Sequence, residues 1–138
     1  MIVIDASVLS EVLLDRGQAR SALEEAQRAH EHEPLHAPAV IEPETLNVLR
    51  KAVFRGLASP RRATEAVSDL TKARLVRYPH GPLVFRIWEL RDQLTAYDAA
   101  YVALAEVLGD RARLLTGDKR LAKTARGLLG KDRVSLVG

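Results

Sequence analysis

Five short apolar or β-branched runs, separated by longer stretches with a helical repeat, leave few architectures open to this chain. Ile2 to Ile4 is the first run and ends at Asp5. Leu35 to Ala37 is the second, closed by Pro38, and Leu75 to Arg77 is the third. Arg113 to Thr116 and Val134 to Val137 complete the set. Continuous apolar runs this short read as strands buried on both faces, because a strand with one wet face alternates apolar and polar residues. The intervening segments repeat every three or four positions, as helices do.

Local signals bound those helices. Ser7 is placed to cap a helix reaching Leu14, and a second covers Gln18 to Glu31. A third runs from Val40 to Phe54 and stops at Gly56. Ser59-Pro60 reads as an N-cap with proline at the first helical position of a helix ending near Lys72. Leu83, Ile87, Leu90 and Leu94 share one helical stripe, and Tyr97, Ala100, Tyr101, Leu104, Ala105 and Leu108 share another. The last helix spans Lys119 to Leu129. Strands alternating with helices predict an α/β fold with a parallel sheet covered on both faces. No repeat or linker interrupts the 138 residues, which read as one domain, 1–138.

Composition removes whole classes of chemistry. There is no cysteine, so disulfides and thiolate metal sites are excluded and any metal must sit on oxygen or histidine nitrogen. Nothing resembles a secretory signal or a membrane span, so a soluble, cytoplasmic protein is expected. The net charge of +3 decides little. Its distribution is more informative: between positions 111 and 133 lie Arg111, Arg113, Lys119, Arg120, Lys123, Arg126, Lys131 and Arg133 against only Asp118 and Asp132. That segment is either a solvated helix face or a flank that contacts phosphates, with Lys119, Arg120 and Lys123 the candidate phosphate contacts.

Four acids carry the functional argument. Asp5 closes the first strand and Asp118 directly follows the fourth. Glu44 and Asp98 fall near the beginnings of two helices. Each alone has a local structural role open to it, as a cap, a dipole partner or, for Asp98 three residues after Thr95, half of a capping box. Together they point elsewhere. Ligands of open α/β sheets bind outside the carboxyl ends of the strands, where all four acids can meet. Converged carboxylates repel one another unless a hard divalent cation neutralises them, and Mg²⁺ takes oxygen ligands and shares them with phosphate. The constellation therefore predicts metal-assisted phosphoryl chemistry. Ser7 and Thr116 are neutral oxygens beside two of the acids, placed either to hold a metal-bound water or phosphate oxygen or to act as ordinary caps.

The remaining candidates read as structural. His30 and His32 lie two apart and share no helix face, and neither they nor His36 and His80 form a metal-binding spacing. Trp88, Tyr97 and Tyr101 lie within amphipathic stretches and are expected in the core. Gly117 alone, in Thr116-Gly117-Asp118, marks a turn.

The motifs resemble the PIN-domain family, and within it the VapC-type toxins of bacterial toxin–antitoxin pairs. Ile2-Val3-Ile4-Asp5-Ala6-Ser7 is similar to the family's first strand and first acid. Glu44-Thr45-Leu46-Asn47-Val48-Leu49-Arg50 resembles its second acidic motif. Trp88 to Arg91 and Tyr97-Asp98-Ala99-Ala100-Tyr101-Val102-Ala103-Leu104-Ala105 resemble its third, and Leu115-Thr116-Gly117-Asp118-Lys119-Arg120-Leu121-Ala122 its last. The resemblance implies a PIN-like three-layer α/β/α sandwich with a five-stranded parallel sheet in the order 3-2-1-4-5. It implies an Mg²⁺- or Mn²⁺-dependent endoribonuclease with Asp5, Glu44, Asp98 and Asp118 as catalytic and metal-binding residues. It also implies RNA as substrate, a small cognate antitoxin of VapB type, and a homodimer. One departure is Pro43, which removes a helical donor beside Glu44 and leaves Glu42 as a competitor for its place.

Two rival readings follow from the same residues. A catalytically inactive binding module would keep the fold without turnover. A haloacid-dehalogenase-type phosphatase also begins its site with an aspartate after the first strand, but needs a second aspartate two residues on, where this chain has Ser7.

Overall fold

A computed structural model describes residues 1–28 and 33–138. The five strands are β1 (Ile2–Ile4), β2 (Leu35–Pro38), β3 (Leu75–Tyr78), β4 (Arg113–Thr116) and β5 (Val134–Leu136). The helices are α1 (Ala6–Leu13), α2 (Ala19–Gln27), α3 (Ile41–Phe54), α4 (Pro60–Lys72), α5 (Val84–Glu89), α6 (Ala96–Leu108) and α7 (Lys119–Leu129). The second helix was expected to reach Glu31, and that end, with His30 and His32, lies outside the described residues.

All neighbouring strands pair in parallel, in the order β3-β2-β1-β4-β5. The helix-covered parallel sheet expected from the sequence pattern and the strand order implied by the family resemblance are both present. β1 is central, and Ile2, Val3 and Ile4 are buried, as a strand covered on both faces must be. α1 packs on α3 and α4, while α6 packs over β1, β2 and β4 and against α5 and α7. In α6 every residue from Ala99 to Ala105 is buried, so the helix is apolar all round and forms the middle of the core. It ends at Gly109, whose φ of +100° suits only glycine. Arg133 then satisfies that end, donating from Nη2 to the Ala105 and Gly109 carbonyls at 2.8 and 2.7 Å. Arg133 is thereby committed to structure, as is Arg113, which donates to Ser135 Oγ. The basic segment is correspondingly narrower than its count suggests.

Two details of the helices bear on function. α1 is capped by Asp5, not Ser7: the Val8 N–H donates to Asp5 Oδ1 at 3.1 Å, which puts Ser7 in the first turn. Pro43 is the third residue of α3, where backbone donors have no helical acceptor anyway, so it costs no hydrogen bond. The Glu44 N–H bonds the Val40 carbonyl at 3.1 Å, and the helix continues unbroken.

Two aromatic expectations are overturned. Trp88 is 64% exposed and Tyr97 61% exposed. Leu83 and Leu90 carry the buried stripe of the α5 region, and Trp88 follows Ile87 by one position, about 100° further round the helix. The Arg91 guanidinium lies over its ring, 4.5 Å from the centroid. Tyr97 stands in the first turn of α6, before the buried run begins at Ala99. Tyr101 is core, as expected.

Candidate active site

Strand order reverses between β1 and β4, and the chain leaves both strands with an acid. Asp5 follows Ile4 directly, and its N–H bonds the Leu115 carbonyl of β4 at 3.3 Å. Asp118 follows Thr116 after a one-residue turn at Gly117. This switch point is where a doubly wound sheet opens a crevice for ligand. α3 brings Glu44 toward it, and the first turn of α6 brings Asp98.

Asp5 is buried and held from three directions. Oδ1 accepts from Ser7 Oγ at 2.6 Å as well as from the Val8 N–H. Oδ2 accepts from the buried Thr116 hydroxyl. Ser7 Oγ accepts in turn from the Gly117 N–H at 2.8 Å, and Thr116 Oγ1 from the Asp118 N–H at 2.9 Å. The two hydroxyls thus link β1 to the β4 turn. Both donate to Asp5 and so orient its carboxylate. Burial raises the Asp5 pKa above its ordinary value; its three hydrogen bonds oppose that shift, and the Asp118 charge adds to it.

Glu44 Oε1 accepts from the Tyr101 hydroxyl at 2.9 Å. Burial raises the Glu44 pKa, the Tyr101 bond lowers it, and the charges of Asp98 and Asp5 raise it further. Asp98 is also raised, first by burial and then by Asp118 and Asp5. Asp5, Glu44 and Asp98 therefore each lie in the field of at least one other acid of the four. Among the described residues none of them pairs with a cation, and no donor reaches the Asp98 carboxylate. They are neighbours in the field rather than in contact: among the described residues no three acid or histidine side chains form a ready metal-ligand cluster.

Capping and convergence turn out to be compatible. Asp118 Oδ1 caps α7 through the N–H groups of Arg120 and Leu121, at 2.8 and 3.2 Å, while Oδ2 has no such role. Thr95 caps α6 by accepting the Asp98 N–H, which leaves the Asp98 side chain free. Glu42, the competitor of Glu44, is engaged elsewhere, 3.1 Å from Arg77 Nε.

The histidines set aside on sequence are structural where described. His36 Nδ1 bonds the Tyr78 hydroxyl at 2.7 Å, and His80 Nε2 accepts the Val40 N–H at 3.0 Å. Lys119, Arg120 and Lys123 are exposed on α7 beside Asp118. From sequence, the phenol of Tyr101 reads as core alone. Its spacing of three from Asp98 was the available signal, since that puts it one helical turn beyond a site acid.

The PIN-domain family pattern matches residues 2–127. VapC ribonuclease Mb0985 of Mycobacterium bovis is 42% identical over 129 residues, covering 91% of this chain and 92% of its own. Ribonuclease VapC12 of Mycobacterium tuberculosis is 38% identical over 124 residues, covering 90% and 92%. Among solved structures, the crystal structure of PAE2754 from Pyrobaculum aerophilum superposes with a TM-score of 0.61 at 24% identity, over 93% of this chain and 85% of that one, a likeness of fold. A family match over nearly the whole sequence, near relatives carrying the VapC name and a sheet of the expected order agree: the chain belongs to the PIN-domain family, among its VapC-type members.

Proposed function

We propose that this protein is a divalent-metal-dependent endoribonuclease and the toxin of a toxin–antitoxin pair. The observation that supports the reading is that Asp5, Glu44, Asp98 and Asp118, from four separate parts of the chain, lie near enough to the β1/β4 edge for their charges to act on one another, and among the described residues none of the four forms an ion pair. A scaffold gains nothing from acids placed in one another's field, and their presence favours catalysis over an inactive binding module. The ribonuclease names of the relatives point the same way. The phosphatase alternative lacks its second aspartate, since Ser7 is spent on orienting Asp5.

The donor set fits a hard cation: it is all oxygen, charged, and unpaired with any base. Asp5, Glu44, Asp98 and Asp118 would hold Mg²⁺, with Mn²⁺ as a substitute. When bound, the metal supplies Lewis-acid polarisation of the phosphate and a nucleophilic water at neutral pH. Ser7 and Thr116 keep Asp5 in one rotamer, so its carboxylate need not reorganise on binding. Tyr101 does the same for Glu44. Lys119, Arg120 and Lys123, exposed beside Asp118, would contact the phosphates flanking the cleaved bond.

An antitoxin of VapB type fits the same chemistry. An arginine inserted among the acids would replace the metal's charge and fork onto two carboxylates. Co-expression then yields an inactive, metal-poor complex. A homodimer and a cytoplasmic setting belong to the same reading; among the described residues no helix is long and apolar enough to cross a membrane.

The test is cleavage of a panel of RNAs by purified protein with Mg²⁺ or Mn²⁺. EDTA stops it, and Asp98→Asn reduces it by orders of magnitude. Cleavage that survives full chelation overturns the reading.

A further inference from the structure

We propose that Tyr97 is the stacking platform of a subsite for an unpaired nucleobase, one nucleotide away from the bond cut at the acidic centre. The inference rests on the ribonuclease reading above and names the part of the RNA that the site grips.

Tyr97 immediately precedes Asp98, yet is 61% exposed in a helix whose next turns are buried. A ring held by a rigid helix and left in solvent beside a site acid is not contributing to the core. It borders a depression of about 490 Å³ whose other walls are Val40, Pro43, Glu44 and Asn47. That volume lies within the range of small-molecule sites. Glu44 belongs both to this depression and to the acid group, so the two are continuous. On its other side Tyr97 borders a smaller hollow of about 210 Å³ with Val40, His80 and Ile87. The wall shared by both is anchored, because the Val40 N–H donates to His80 Nε2.

The lining chooses between the parts of a nucleotide. It contains no cationic side chain to draw in a phosphate. It does contain an aromatic face, two apolar side chains and the Asn47 carboxamide, which can both donate to and accept from a base edge. A neutral, planar, hydrogen-bonding group meets all of these, whereas a phosphate could use only the Asn47 N–H donors. The bases of a duplex are stacked on one another and closed to such a platform, so the occupant is a base in a single-stranded or looped stretch.

The experiment uses a short single-stranded RNA that the protein cleaves, with 2-aminopurine substituted in turn at each position around the cut. Losing one base stack costs about five- to a hundredfold in binding. Tyr97→Ala is expected to raise KM by that factor while kcat stays within about twofold. Tyr97→Phe, which keeps the ring, retains the KM of the unaltered protein. At one position next to the cut, 2-aminopurine fluorescence is quenched on binding the unaltered protein and Tyr97→Phe, but not Tyr97→Ala. The exposed position makes the Ala variant tolerable to the fold, and a melting curve checks it. Unchanged KM and quenching in Tyr97→Ala, with cleavage still abolished by Asp98→Asn, overturn the subsite and leave the ribonuclease reading standing. An unchanged KM together with loss of dimer or antitoxin binding assigns Tyr97 to a protein interface and overturns it too. If the unaltered protein cleaves no RNA with either metal, both proposals fall.

Discussion

The hydroxyl of Tyr101 donates to Glu44 Oε1 across 57 positions of sequence, from the centre of α6 to the first half of α3. Tyr101 is 1% exposed, and burial together with the Glu44 charge pushes its pKa far above the ordinary phenol value. It is therefore a permanent donor, and Glu44 sits against a fixed hydrogen. Groups that orient metal ligands in this way typically carry ten- to a hundredfold in metal affinity or activity. Tyr101→Phe is expected to weaken Mn²⁺ binding, read by calorimetric titration, by about tenfold or more, with the ring's packing kept. Unchanged affinity would mean that Tyr101 serves the core alone.

Neutralising one acid separates a functional cluster from a set of caps. Burial and the neighbouring acids raise the pKa of Asp5, Glu44 and Asp98 in the folded state. A raised carboxyl binds its proton more tightly when folded, so its stabilising contribution is complete below the unfolded pKa and is lost as pH rises through the folded one. At neutral pH the metal-free acids therefore cost stability. Asp98→Asn is expected to raise Tm in EDTA at pH 7, and the gain should shrink as pH falls toward about 4, where the acids protonate in either state. Mg²⁺ should then stabilise the unaltered protein more than the variant. Equal melting curves for both, with and without metal, would show that Asp98 stands alone.

Glu42 and Glu44 differ by half a helical turn and should differ in consequence. Glu42 pairs with Arg77 at a partly exposed position, a contact worth about 0–1 kcal/mol. Glu42→Gln is expected to leave cleavage intact and stability nearly so. Glu44→Gln is expected to lower kcat by orders of magnitude. The opposite pattern in steady-state cleavage would exchange their roles.

The exposed cations of α7 make a separate prediction. Reversing Arg120 and Lys123 to Glu should weaken binding of all RNAs alike and reduce the slope of log affinity against log salt by about one for each phosphate that is no longer neutralised. Filter binding across a salt series measures both. An unchanged slope would make this face a solvated one.

Much of the architecture is local and so was readable in order along the chain. β1 and β4 are apolar because they are buried on both faces, and parallel strands need helices between them, so alternation alone implied the layered sheet. Ser59-Pro60, Gly56 and Asp118 marked helix ends because caps and turns act within a few residues. Asp5 and Asp118 were legible as candidates for the same reason: each directly follows a strand. Tertiary structure alone decided which long-range partner each side chain found. That Ser7 and Thr116 spend their hydroxyls on Asp5, that Arg77 takes Glu42 and Tyr101 takes Glu44, and that Tyr97 faces solvent while Tyr101 is enclosed depend on how α3 and α6 lie over the sheet. Helical periodicity places residues on a face but does not say how far that face is covered: Trp88 lies off the stripe set by Leu83 and Leu90, and Tyr97 stands in the first turn of α6 before its buried run.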